Sequence, residues 1–256
     1  MPEGGRRVPE RLIYSGVIPF ARNVEELERY LGLVQRLDLP AVKVKVADSD
    51  QSLSQLSFIR RKLSDGVDLR VDANGAFSAQ GALAFIRRAE AVRLSAIEQP
   101  VAANDLAGLK QVTENSPVPV IADESMYTVH GPYHLIENRL CHGLNIRLSS
   151  CGGLRKAQAL YQRAMHQRMT VVFGAHVGES AILSFAGRHL AAICPGAAYL
   201  EGSFSRYVLQ EDLVSQEISL GASGAVPVPQ GAGLGVDIDS AALQKWARLC
   251  TDLSVS

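Results

Sequence analysis

The sequence predicts an α/β fold, a TIM-type (β/α)8 or (β/α)7β barrel with a C-terminal extended tail. Three observations carry that expectation. Short β-branched runs alternate with longer amphipathic segments from residue 13 to about 201; the runs number eight, enough to close a ring of parallel strands; and beyond residue 202 the text becomes Gly/Pro-rich, GASGAVPVPQGAGLGVDID. Strands are expected at 13–18, 42–46, 68–72, 96–98, 118–122, 144–147, 170–173 and 198–201. The first helix follows the first strand, because Val24, Leu27, Leu31, Val34 and Leu37 form one apolar stripe. Asn23 stands as its N-cap, with Glu26 three residues on suited to the helix dipole. Later helices are expected at 52–63, 78–92, 105–114, 131–137, 153–167 and 179–193, with a last short one at 241–249. An open doubly wound sheet would want a Gly-rich phosphate loop after its first strand, where this chain has Pro19-Phe20-Ala21-Arg22-Asn23. The chain therefore divides into an extension at 1–12, a barrel at 13–203 and a tail at 204–256 packing on the barrel.

Composition narrows the function classes. With 256 residues, 26 Lys+Arg against 26 Asp+Glu, and 47% hydrophobic residues, the sequence reads as a globular protein. It lacks the basic footprint of a partner for nucleic acid or anionic membrane. No run approaches the roughly 20 apolar residues of a membrane helix, and MPEGGRRVPERL has no signal-peptide core, so the expected address is the cytoplasm. Cys141, Cys151, Cys194 and Cys250 form no CxxC pair and read as reduced bystanders.

In a barrel, chemistry collects at the C-terminal strand ends. Three successive strands end there in a carboxylate: Asp72, Glu98 and Asp123. Any one acid could merely cap the following helix. Three at one mouth would repel unless a cation neutralised them, and an all-oxygen site suits Mg2+ or Mn2+ better than zinc. The second strand, Val42-Lys43-Val44-Lys45-Val46, has a period of two. If its valines pack under the helices, both lysines point into the barrel. Burial and a neighbouring positive charge penalise an ammonium, which makes such a lysine a usable base. The alternative, a solvated charged face on an edge strand, has no place in a closed barrel.

Taken together, Lys43-x-Lys45, Asp72-Ala73-Asn74-Gly75, Ile97-Glu98-Gln99-Pro100, Ala122-Asp123-Glu124-Ser125 and Asn145-Ile146-Arg147 followed by Gly152-Gly153 resemble the enolase superfamily. The resemblance is to its muconate-lactonizing subgroup of muconate cycloisomerases and dipeptide epimerases, and it runs in register from residue 13 to about 235. It implies Mg2+ on Asp72, Glu98 and Asp123, and Lys45 moving the α-proton of a small carboxylate substrate while the metal stabilises the enediolate. Lys43 would tune Lys45 and hold a substrate oxygen. Asn74, Asn145, His176, Glu179 and Glu201 become candidate substrate contacts, and Glu124 a partner orienting Arg147. Members of the family commonly assemble, so a homo-oligomer is compatible.

Three departures shape the expected activity. Where the subgroup carries a second acid/base lysine, this chain has Arg147, always protonated and a poor proton shuttle. That disfavours epimerisation by two opposed bases and leaves one-base elimination or cycloisomerisation. The Asp-x-Asp pair of dipeptide epimerases is replaced by Glu201-Gly202-Ser203. The family's N-terminal capping domain does not precede the first strand, which implies a fragment or a lid supplied by a partner, and weak turnover by the chain alone. Two other readings are a silent barrel acting as scaffold and a Schiff-base aldolase using Lys45.

Overall fold

The structure is a computed structural model describing residues 9–216 and 219–246. Most of the N-terminal extension, the end of the expected last helix at 247–249 and Cys250 lie outside the described residues. The chain runs β1 (Arg11–Ile13), β2 (Gly16–Ile18), α1 (Val24–Arg36), β3 (Ala41–Lys45), α2 (Asp50–Lys62), β4 (Asp68–Asp72), α3 (Ala79–Arg88), β5 (Ile97–Glu98), α4 (Leu106–Asn115) and β6 (Val120–Ala122). It continues through α5 (Gly131–Glu137), β7 (Gly143–Arg147), α6 (Leu148–Cys151), α7 (Leu154–His166), β8 (Thr170–Gly174), α8 (Ala181–Ile193), β9 (Tyr199–Leu200), α9 (Ser205–Val208), β10 (Ala225–Pro227) and α10 (Ser240–Trp246).

Strands β2 to β9 form one eight-stranded parallel sheet in sequence order. Seven βα units precede β9, which is followed by the four-residue α9 and then the tail, so the barrel is of the (β/α)7β kind. The ends of the sheet meet through Ser15, whose N–H and hydroxyl both donate to the Leu200 carbonyl at 2.8 and 3.0 Å.

The expected first strand at 13–18 is in fact two. Residues 11–13 pair antiparallel with β10 from the tail, whereas residues 16–18 pair with β3. The switch falls at Tyr14 and Ser15, whose N–H groups turn to Gly224 and Leu200. Gly16 then enters the barrel where any Cβ would lie 2.8 Å from Leu39 Cδ1. The tail is thus stitched to the barrel through β10.

Local chemistry explains the helix ends. Asn23 accepts from the Glu26 N–H at 2.9 Å as the N-cap of α1, while the Glu26 carboxylate reaches the Arg22 N–H, one residue short of a reciprocal capping box. The helix expected at 78–92 stops at Arg88 and tightens into a 3-10 turn at 90–92, closed by Arg93 at φ 56.

The main core lies between strands and helices, where Val42, Val44 and Val46 pack among the apolar stripes of the helices. That commits the alternate residues of β3 to the barrel interior. Inside, Ala96, Ile121 and Val172 with Tyr199 form a small apolar plug. The Arg70 guanidinium lies over the Tyr199 ring, 3.9 Å from its centroid. Among the described residues no helix is long and apolar enough to cross a membrane.

Candidate active site

Two polar layers stand on this plug. The deeper one centres on Lys43, whose Nζ donates to Glu98 Oε1 at 2.9 Å and Glu201 Oε2 at 2.8 Å and lies 3.4 Å from Asp72 Oδ2. Glu201 gives its other oxygen to Arg70, which also donates to Ser15 Oγ. Asn145 donates to Glu98 Oε1 at 2.9 Å. All of these side chains are buried. Burial opposes the charge on Lys43, but Glu201, Glu98 and Asp72 outweigh it and hold its pKa above the ordinary lysine value. Burial likewise opposes ionisation of Glu201, yet Lys43 and Arg70 bring it down to about 2. Glu98 goes the other way: burial, opposed by Lys43 and aided by the Asp72 and Glu201 charges, raises it to about 7.

The second layer lies at the mouth. Lys45 Nζ donates to Asp72 Oδ2 at 2.8 Å and to Asn74 Oδ1 at 2.6 Å. Asn74, at φ 44, donates its side-chain amide to Glu124 Oε1 at 2.9 Å. Across the barrel, Arg147 ends β7. Its Nη2 ion-pairs with Asp123 and approaches Glu98 Oε1 to 3.7 Å, while Nη1 donates to His176 Nδ1 at 3.1 Å. Because a guanidinium only donates, Nδ1 is the acceptor and the neutral imidazole carries its proton on Nε2, 3.1 Å from Ser150 Oγ. Burial and then the Arg147 charge lower the His176 pKa. Glu179 accepts the His176 N–H at 2.7 Å and so shapes the loop.

The lysines, the three strand-end acids, Asn74, Arg147 and His176 therefore converge, and the other candidates make the following contacts. Glu201 lies in the buried layer, with both its oxygens bound to Lys43 and Arg70. Asn145 is fully buried and holds Glu98. Glu124 pairs with Asn74, because Arg147 reaches its neighbour Asp123 instead. Nor are the acids gathered as a ready-made cation cluster: among the described residues no three His, Cys, Asp or Glu side chains are so arranged. Each acid has instead been drawn to a positive side chain, Asp72 to the two lysines, Glu98 to Lys43 and Asp123 to Arg147. The donor set still matches a hard divalent cation, being all carboxylate oxygen, and Glu98 Oε2 is buried without a hydrogen-bond partner.

Three contributors escaped the sequence reading. Arg70 was legible in principle, since the period of two places Asp68, Arg70 and Asp72 on one side of β4. Gln99 was not: its Oε1 accepts the N–H groups of Asp123 and Ser125 at 3.0 and 3.1 Å, fixing the loop that carries Asp123. Tyr127 accepts the Arg147 N–H at 3.2 Å from a distant loop.

Fold and site define a (β/α)7β barrel whose interior charges meet at the C-terminal strand ends, the usual seat of chemistry in barrel enzymes. Residues 22–242 match the family model described as enolase C-terminal domain-like, and the chain belongs to that family. Muconate cycloisomerase 1 of Rhodococcus opacus is 28% identical over 226 residues, 88% of this chain and 60% of the relative. A hydrophobic dipeptide epimerase of Enterococcus faecalis is 28% identical over 204 residues, 78% of this chain and 57% of the relative. The chain thus spans under two thirds of the length of these relatives. Among solved structures, a dipeptide epimerase from Enterococcus faecalis complexed with Mg and the dipeptide L-Leu-L-Tyr aligns with TM-score 0.82 at 25% identity, covering 90% of this chain and 64% of that one. An N-succinyl Arg/Lys racemase from Bacillus cereus aligns with TM-score 0.86 at 22% identity over 96% of this chain and 65% of that one, a likeness of fold.

Proposed function

We propose that this barrel removes the proton next to the carboxylate of a small substrate, with Lys45 as the base and Asp72, Glu98 and Asp123 as ligands for Mg2+ or Mn2+. The supporting observation is the contrast between two lysines of one strand. The Lys43 side chain is 3% exposed and bound by three carboxylates, whereas that of Lys45 is 22% exposed and reaches the mouth. Lys43 is a permanent ammonium below the site. Lys45, one step further along the strand, is the lysine within reach of a substrate proton at the mouth. Asp72 and Asn74 orient the Lys45 Nζ. A divalent cation on the three acids supplies electrostatic stabilisation for the second negative charge that develops on the substrate carboxylate.

Arg147 ends the strand four places from β3 in the eight-strand order, directly across the barrel. It holds anions but accepts no proton. This supports a one-base outcome, syn elimination or cycloisomerisation, over epimerisation by opposed bases. Asn74 and His176 are exposed, so water reaches the reacting atoms and the chain by itself turns over weakly.

The test is solvent exchange. Candidate carboxylates incubated with the protein and Mg2+ in heavy water gain deuterium at the carbon beside the carboxylate, read by NMR, and Lys45→Ala lowers the rate by at least about 100-fold. Undiminished exchange in Lys45→Ala would assign the base elsewhere, and borohydride trapping of a carbonyl substrate on Lys45 would replace this reading with Schiff-base chemistry.

A further inference from the structure

Four acids and four basic side chains are ion-paired with one another in the barrel: Asp72, Glu98, Asp123 and Glu201 with Lys43, Lys45, Arg70 and Arg147. Each strand-end acid is thus already engaged by a positive side chain, which opposes the attraction of a divalent cation to the three. This opposition is not evenly shared. Lys43 and Arg70 are locked below by Glu201, and Lys45 hangs on Asp72 from the open side. Lys43 meets Asp72 and Glu98 from the buried side, whereas Arg147 meets Asp123 and, at 3.7 Å, Glu98 Oε1 from the opposite wall, and it is the cation paired with Asp123. Its side chain is 11% exposed, and it cannot shed its proton to make way.

The same guanidinium has a second set of acceptors. Nη1 donates to His176 Nδ1 at 3.1 Å and to the Ala175 carbonyl at 3.4 Å, on the loop after β8, while Nε is buried without a partner. Arg147 therefore straddles the acids and the loop, and only the contacts to the acids conflict with a bound cation.

We propose that Arg147 is a resident counter-ion of the cation site, and that a divalent cation binds only by displacing its guanidinium from Asp123 and Glu98. The inference rests on the reading of Asp72, Glu98 and Asp123 as the cation ligands. Metal affinity in this chain is then set by competition, and neutralising residue 147 raises it even though that residue is not a ligand.

The experiment is a titration of Mn2+ alone, with free Mn2+ followed by its electron paramagnetic resonance signal, on the parent chain, Arg147→Met, Arg147→Gln and Arg147→Met combined with Asp123→Asn. Circular dichroism and thermal melting establish which variants are folded, and the Gln variant keeps hydrogen-bond donors that Met lacks. The expected result is binding at least tenfold tighter in either neutral variant than in the parent, abolished when Asp123→Asn is added. Equal affinity in parent and neutral variants, with binding abolished when Asp123→Asn is added to Arg147→Met, would overturn the counter-ion role and leave the ligand assignment standing. Absence of Mn2+ binding from every folded variant would overturn both.

Discussion

The two lysines of β3 sit two residues apart, point into the same barrel and meet the same acid, yet they belong to different regimes. Around Lys43 every neighbour is buried and its own charge is met by carboxylates: Glu201 bridges it to Arg70, and Asn145 steadies Glu98. Around Lys45 the partners are a buried aspartate and an exposed asparagine, and across the mouth Arg147 is shared between acids and a loop. Depth along a strand, rather than residue type, separates a scaffold charge from one free to do chemistry.

The comparison breaks most visibly from below. Replacing Glu201 by Ala leaves Lys43 and Arg70 short of a buried counter-charge, and is expected to cost about 3–5 kcal/mol in denaturant unfolding. The pH dependence sharpens this. The Glu201 pKa falls from 4.5 to about 2 in the folded chain, so its contribution is full above 4.5 and lost as pH falls through 2. Glu201→Gln should therefore flatten that part of the acid limb relative to the parent.

A smaller effect is expected one step upward. Gly174 lies so close to the Asn145 side chain that a Cβ would collide with its amide. Gly174→Ala should destabilise by about 1–3 kcal/mol through overpacking, measured by unfolding in urea, and should loosen the hold of Asn145 on Glu98. At the mouth the effect on stability nearly vanishes: Lys45→Ala is expected to shift unfolding by no more than about 1 kcal/mol.

The same divide governs what could be read from the chain itself. Lys43, Lys45 and the acids at 72, 98 and 123 were legible because period two and strand ends are local patterns. The partners of Glu201 were not, since Lys43 and Arg70 lie 158 and 131 residues away and no local rule couples them. Seen in isolation, three carboxylates demand a metal. Within the folded barrel they first find Lys43, Lys45 and Arg147, because oppositely charged strand ends are brought together by closure of the sheet. The split of the first strand was equally hidden, as the partner of residues 11–13 lies in the tail.

The division between the layers is tested most directly by NMR of the lysine side-chain nitrogens across an alkaline titration, with the Lys43 signal assigned by its loss in Lys43→Met. The account predicts that Lys43 keeps its ammonium proton well above 10.5, the ordinary lysine value, and exchanges slowly with solvent. A Lys43 that deprotonates at or below 10.5 would contradict it, because the deep layer would then hold no fixed charge to set Lys45 apart.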